Sequence, residues 1–320
     1  MKIYLYGMIC GSNSFRLNEF PKPDEYSEIQ QSARFIGGET GTCATVLSSL
    51  DAQVRIDGTH IGRSTSQLTR DFYKNKTVDL GSLTFDDSFE GLEDYVIITG
   101  CDRTPFGRFG HFFGEFYNDG VKHWNSPKES DIAWCDFAAI DEFFGEDSQA
   151  AAEMCVRLRK PYVTIDCKYD SYIHRHAAVD VVSGEGLKMH YGDVSREEMF
   201  LRYAENTDGL TIITNGGNTL LYGRKGEPVK TFQPFRVDVA STLGAGDTFK
   251  AGCAFALANG MSDDELVKFA SACAGVAVSR YPMQFDPPRL QDIEELIIRR
   301  FSERCRTANQ DFGRENSRKP

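Results

Sequence analysis

Short apolar runs recur along the chain at intervals that leave room for a helix between them. Lys2–Tyr6, Val54–Asp57, Asp136–Ile140, Tyr162–Asp166, Val179–Ser183 and Leu210–Thr214 are rich in β-branched or aromatic residues. They read as buried strands. Apolar positions at helical spacing separate them, notably in Ser148–Leu158 and Arg196–Tyr203, and a further helix is expected from near Gly41 to about Leu50. Strands alternating with helices predict a parallel sheet covered on both faces, a three-layer α/β/α architecture. In such sheets ligands bind outside the carboxyl ends of the strands. Gly7, Asp166, Thr214 and the glycine-rich turn at Gly244 all fall at such ends.

Two stretches break the alternation. Ser12–Phe35 and about Tyr95–Trp124 are rich in aromatics and turn residues. Val96–Thr99 and the Phe-rich run Phe106–Phe116 read as antiparallel strands rather than crossover helices. Loops of this length without structure are uncommon, so the segments at about 12–35 and 95–124 are expected to form a small β-sheet lid over the strand ends. No internal repeat and no linker divides the chain, and 1–303 reads as one domain. The polar, basic stretch 304–320 reads as a disordered tail.

The densest chemistry lies in Ser241-Thr-Leu-Gly-Ala-Gly-Asp-Thr-Phe-Lys-Ala-Gly252. Ser241 and Thr242 are helix-start residues, and Phe249, Cys253, Phe255, Ala256 and Leu257 follow at roughly helical spacing. Gly244, Ala245, Gly246 and Asp247 then form a first helical turn. Its unpaired N–H groups and the helix dipole favour an anion. Two glycines weaken a helix start with no packing return, which points to close approach of a ligand. An N-capped core helix with a dipole-friendly Asp is the plainer reading. Asp247 fits a ligand site if it faces a hydroxyl that loses its proton while attacking a phosphoryl group.

The balance of charge narrows the partners. A net charge of −11 argues against a nucleic-acid surface, and no stretch is long and apolar enough for a membrane span. The opening Met1-Lys-Ile-Tyr-Leu-Tyr is short for a signal peptide and lacks a cleavage pattern. Nine cysteines, scattered and without Cys-x-x-Cys spacing, read as reduced buried thiols, so a cytoplasmic location is expected. The six histidines show no metal-ligand spacing; His174-Arg-His176 reads as a loop or helix start rather than a metal pair.

The stretch Val237–Gly252 resembles the C-terminal motif of the PfkB (ribokinase-like) carbohydrate kinases. A second match lies about 200 residues earlier. There Gly37-Gly38-Glu-Thr-Gly-Thr-Cys-Ala44 opens a helix, and Ala52-Gln-Val-Arg-Ile56 and His60-Ile-Gly62 follow. The resemblance implies a ribokinase-like (Rossmann-like) domain with a β lid, and transfer of the γ-phosphate of ATP, with Mg2+, to a hydroxyl of a small sugar or sugar derivative. Asp247 would be the general base, and the amides of Ala245, Gly246 and Asp247 the anion hole. Gly37, Gly38 and Thr42 would line the sugar site. Thr214 and Gly216, in Thr214-Asn-Gly-Gly217, would meet the nucleotide together with Thr242 and with Ala272 of a helix over Asp264–Ser279. The lid implies a possible homodimer.

The chain departs from the family pattern at several points. Where an Asp usually follows the first strand stands Gly7-Met-Ile-Cys-Gly-Ser-Asn13, so Ser12 or Asn13 takes its place as the sugar contact. The magnesium-organising Asn-x-x-Glu is replaced by Ser183-Gly-Glu-Gly-Leu187, leaving Glu185 as the metal candidate. Ser241 replaces an Asp that helps bind a monovalent cation in some relatives, which predicts weak or no potassium activation. Arg103 falls where relatives present substrate contacts from a lid strand, beside Arg34, Asp102 and Arg108. Lys168 either touches phosphate or an anionic substrate group, or is a surface lysine. Lys250 either neutralises phosphate or pairs with Asp247 at i,i+3 and lowers its basicity. Two further readings stand beside the sugar kinase: a nucleoside or vitamin-type kinase of the same fold, and a catalytically impaired sugar- or nucleotide-binding relative.

Overall fold

The structure, a computed structural model, describes residues 1–300. The first strand, β1 (Lys2–Gly7), shows how the layers arise. Ile3 and Leu5 enter one apolar cluster, while Tyr4 and Tyr6 enter another on the opposite face. A strand buried on both faces needs an apolar run rather than alternation, which is what the sequence supplies. The parallel strands β4 (Gln53–Gly58), β6 (Val78–Asp79), β10 (Phe137–Ile140), β11 (Tyr162–Ile165), β12 (Val179–Val182) and β13 (Leu210–Ile213) flank it. The antiparallel strands β14 (Leu220–Gly223) and β15 (Lys230–Phe232) complete the sheet. The order is β15-β14-β13-β12-β11-β10-β1-β4-β6. All six strands expected from the sequence are present.

One face is covered by α1 (Glu39–Ser49), α2 (Arg63–Tyr73), α9 (Ala245–Ala258) and α10 (Asp263–Val278). The other carries α4 (Glu129–Trp134), α5 (Glu146–Arg157), α6 (Tyr172–His176), α7 (Gly184–Tyr191) and α8 (Arg196–Glu205). A capping box between Ser262 and Glu265 starts α10. Residues 290–300 are helical. The tail expected at 304–320 lies outside the described residues.

A second sheet, of order β3-β2-β8-β9, is the lid. It comprises β2 (Cys10–Leu17), β3 (Ile29–Gly37), β8 (Glu93–Thr99) and β9 (Asp102–Gly107). Its four strands start within or just outside the two expected segments. The Phe-rich run corrects the expectation: only its first residues are strand, and α3 (Phe109–Asp119) follows. Phe109, Phe112, Phe113 and Phe116 stand at i, i+3, i+4 and i+7, a helical stripe. It packs on Trp124 and the core instead of extending the lid. A short ribbon of β5 (Ile61–Gly62) and β7 (Phe85–Asp86) lies beside the main sheet.

The lid is docked on the main body at several points. Arg16 donates to the Ala240 carbonyl at 2.8 Å, and its guanidinium lies 4.2 Å from the centre of the Tyr281 ring. Tyr281 donates to Ser14 Oγ at 3.0 Å. The Thr242 amide donates to the Cys101 carbonyl at the β8–β9 tip at 3.1 Å.

Candidate active site

Gly244 ends the loop into α9 with φ 77°, the left-handed region open to glycine. A Cβ there would also crowd Met283 Cε at 3.2 Å and Thr42 Cγ2 at 3.3 Å. Through that contact the two glycine motifs meet. The Ala245 amide turns back onto the Thr242 carbonyl at 3.3 Å. Among the described residues no acceptor meets the amides of Gly246 and Asp247. Two N–H groups, those of Gly246 and Asp247, are thus open to a ligand, while that of Ala245 closes the turn.

Asp247 is half-buried in the same turn. Burial pushes its carboxyl up to about 6, opposed by Lys250 and Arg103 and reinforced by Asp141 and Asp166. It remains largely ionised at neutral pH and is a stronger base than a free carboxylate.

Lys250, one turn on, does not pair with Asp247. Its fully buried ammonium is held by Asp141 and lies 3.4 Å from Glu39. Burial is the largest influence and opposes its charge, but Asp141, Cys43 and Glu39 together outweigh burial and hold the lysine well above its usual range. Asp141, at the end of β10, also accepts from the Met8 amide at 3.1 Å and Thr40 Oγ1 at 2.9 Å. Any side chain at position 7 would displace it, since a Cβ on Gly7 would lie 2.0 Å from Asp141 Oδ2. Glu39 is raised well above the usual carboxylate range by burial and by Asp141. The sequence reading missed Asp141 and Glu39. An acid just past a buried strand, the pattern that drew attention to Asp166, was the available signal for Asp141.

On the lid side, Ser12 lies beside Gly37, where a Cβ would fall 2.1 Å from Ser12 Oγ. Gly38, with φ 78°, brings its backbone onto Met8. The facing residue of Ser12 on β8 is Asp94. Its Oδ2 accepts from Cys10 Sγ at 3.6 Å, while its buried Oδ1 has no partner. Burial raises the Asp94 carboxyl, with Ser12 opposing. Asn13 corrects the expectation: alternation along β2 turns it to the other face, where its amide is spent on the Asp94 carbonyl at 3.3 Å. Asp94 is thus a buried polar group beside Ser12 that the residue pattern alone does not single out.

Arg103 pairs with Glu185 at 2.9 Å and stands close enough to Asp247 and Asp94 to lower both. The Glu185 side chain is 82% exposed. The carboxylate that fills the cleft near α7 is Asp166, at φ 55°, which accepts from the Ser183 amide at 2.6 Å and Ser183 Oγ at 2.9 Å. A Cβ on Gly186 would lie 2.2 Å from Asp166 Oδ1, so this acid occupies the space beside Gly186. Thr214 and the exposed Gly216, with φ 55°, sit at the end of β13. Thr242 Oγ1 is spent on the Cys101 carbonyl at 3.3 Å. Lys168 is exposed. Ala272 is fully buried in the core cluster that includes α9 and offers a nucleotide no surface, which corrects its placement as a contact.

His174 is likewise no metal pair with His176. It is buried, with Nδ1 on Asp180 at 2.6 Å and Nε2 on the Tyr203 carbonyl at 3.0 Å. The described cysteines are unpaired and all but Cys101 are buried. No described helix is long and apolar enough to cross a membrane.

Residues 194–289 match the model of the pfkB family carbohydrate kinases, so the resemblance read in the motifs holds across that segment. A 5-dehydro-2-deoxygluconokinase of Bacillus subtilis is 28% identical over 104 residues, 32% of this chain and 32% of that protein. A ribokinase of Bacillus subtilis is 34% identical over 85 residues, 27% of this chain and 29% of that protein. The chain thus matches about a third of the length of these curated relatives. The ribokinase of Arabidopsis thaliana, solved with ribose and ATP, superposes with a TM-score of 0.74 at 15% identity. That superposition covers 92% of this chain and 98% of the other, and the fold over that portion is ribokinase-like.

Proposed function

We propose that the protein is an ATP-dependent kinase that phosphorylates a hydroxyl of a small sugar or sugar derivative. The observation that carries this reading is the α9 turn. Two free amides stand beside a carboxylate of raised basicity, a pairing suited to phosphoryl transfer. The γ-phosphate of ATP would rest on the amides of Gly246 and Asp247, while the Asp247 carboxylate takes the proton of the attacking hydroxyl. Asp94 Oδ1, buried and unpartnered, would accept a sugar hydroxyl. Ser12, Gly37 and Gly38 would bound the same pocket, and Arg103 would meet a polar or anionic end of the substrate. Thr214 and Gly216 would flank the nucleotide.

Oxygen ligands from Asp166, with Glu185 at the rim, suit a hard divalent cation held largely through water and substrate phosphates. When bound, Mg2+ would neutralise charge on the transferred phosphoryl group. Dimerisation through the lid is consistent with the exposed Phe20 and Phe106, whose rings stack 6.5 Å apart on the lid.

The test is ADP release from magnesium-ATP against sugars, sugar acids, glycated amines and nucleosides, with Asp247→Asn as control. Release stimulated by one sugar class and abolished in the variant supports the reading. Stimulation by nucleosides alone would move it to a nucleoside kinase. Binding of ATP and sugar without turnover would make the protein a binding relative.

A further inference from the structure

Away from the cleft, one donor atom of each of His60, Asp86 and His123 lies within 4.8 Å of the other two. Three separate elements bring them together. His60 lies between β4 and β5, Asp86 ends β7, and His123 follows α3, its carbonyl accepting from the His60 amide at 2.8 Å. We propose that these three residues form a site for a divalent transition metal of the zinc type, which clips the β5–β7 ribbon to the segment after α3.

The hydrogen bonds around the cluster set the tautomer of His60. The Asn125 side-chain nitrogen donates to Asp57 Oδ1 at 2.6 Å and to the Ser82 carbonyl at 3.0 Å, so its oxygen is the atom that faces His60. That oxygen also accepts from Thr84 Oγ1 at 2.7 Å. His60 Nε2, 3.1 Å from it, must therefore be the N–H donor. The lone pair then sits on Nδ1, which is buried and has no hydrogen-bond partner. Nδ1 faces Asp86 Oδ2 at 3.7 Å. Two acceptors facing each other without a proton call for a cation between them. A proton on Nδ1 is the other remedy, and titration with zinc separates the two.

The other two ligands are held in the same manner. His123 donates Nε2–H to Glu115 Oε2 at 2.9 Å and stacks on Phe89 at 4.0 Å, which leaves its second nitrogen free to coordinate. Asp86 Oδ1 accepts from the Ser88 amide at 2.9 Å, leaving Oδ2 toward His60. Each ligand thus has its outer atom fixed by a neighbour, the arrangement that orients metal-binding histidines and carboxylates. Two imidazoles and a carboxylate suit zinc and its neighbours rather than magnesium or calcium. Zinc bonds of about 2.0 Å place tetrahedral ligand atoms about 3.3 Å apart. The His60–Asp86 separation is already near that, and the widest separation needs small side-chain rotations. Water would take the fourth position. The inference is independent of the kinase reading.

The test uses tag-free, chelator-stripped full-length protein titrated with zinc alone, followed by competition with a chromophoric chelator and by the visible spectrum with cobalt. One equivalent is expected, with a tetrahedral cobalt spectrum and a melting temperature raised by zinc. Asp86→Asn and His60→Gln should each weaken binding at least 100-fold and abolish the melting shift, while His176→Gln changes neither. Asp86→Asn is isosteric and keeps the test decisive if His60→Gln fails to fold. Absence of stoichiometric binding to the folded wild type overturns the proposal. So does binding that survives both substitutions or is lost in Cys101→Ser.

Discussion

The two walls of the cleft are built in different ways. The α9 wall is contiguous: Gly244 supplies the turn, Gly246 and Asp247 the free amides, and Asp247 the carboxylate proposed as base, all within four residues. The facing wall is assembled from Ser12, Gly37, Asp94 and Arg103, with the Lys250–Asp141–Glu39 cluster beneath. In the first wall, geometry follows from one helix start. In the second, it depends on the docking of a lid and on charges that meet only after folding. On the proposed function, chemistry falls to the first wall and substrate selection to the second.

The sharpest way to break that division is to substitute Asp247. Asp247→Asn keeps the size of the side chain and the two amides, so ATP affinity should hardly change. Turnover should fall by about 100- to 10,000-fold, the usual span for removing a general base. In the wild type kcat/KM should drop with acid below about pH 6, where burial has placed the Asp247 carboxyl, because only the ionised form accepts the proton. A variant with near-normal turnover, or a flat profile down to pH 5, would remove Asp247 from the mechanism.

The cluster beneath the facing wall should answer in stability first. Lys250→Met leaves Asp141 buried without its cation, while Asp141→Asn leaves the ammonium without its principal partner. Breaking a buried pair from one side costs about 3–5 kcal/mol, readable as a shift in denaturant midpoint. Lys250→Met with Asp141→Asn together should be less destabilised than the sum of the two. Strict additivity would mean that the pair is not coupled and that the lysine serves another group.

These two walls were also unequally legible in the sequence. The helix start at Gly244, the glycine pair and the six strands are local patterns, and local patterns survive reading one stretch at a time. Asp141 and Glu39 lie 102 positions apart and meet at Lys250 once the chain has folded. Asp94 became visible only when β8 paired with β2 and placed it opposite Ser12. Glu185 is the acid that its own segment offers, whereas folding brings Asp166 from the neighbouring strand into the space beside Gly186. The Phe-rich run misled for a related reason: aromatics suggest strands, but their spacing from Phe109 to Phe116 is helical and tertiary packing honours the spacing.

Asp94→Asn probes the facing wall more gently. The variant keeps the size of the side chain but exchanges an acceptor for a donor beside Ser12 and Cys10. If Oδ1 holds a substrate hydroxyl, KM for the sugar should rise about tenfold or more, as for the loss of one charge-assisted hydrogen bond. The ATP KM should stay near that of the wild type. An equal rise in both, or a fall confined to kcat, would take Asp94 out of the sugar pocket and reassign it to lid stability.

The smallest effect is expected from the monovalent cation. Ser241 is buried at the entry to the α9 turn, and its hydroxyl accepts from the Leu243 amide at 3.2 Å. Its own amide is spent on the Val278 carbonyl at 3.1 Å. A neutral hydroxyl already occupied in the turn is a poor substitute for a carboxylate as a cation ligand. The turn is instead stabilised by these internal bonds and by the lid tip on Thr242. Replacing sodium by potassium at constant ionic strength should therefore leave the rate nearly unchanged. A several-fold rise would mean that carbonyls bind the ion unaided, and that the α9 wall needs an ion in addition to its contacts with Val278 and the lid tip.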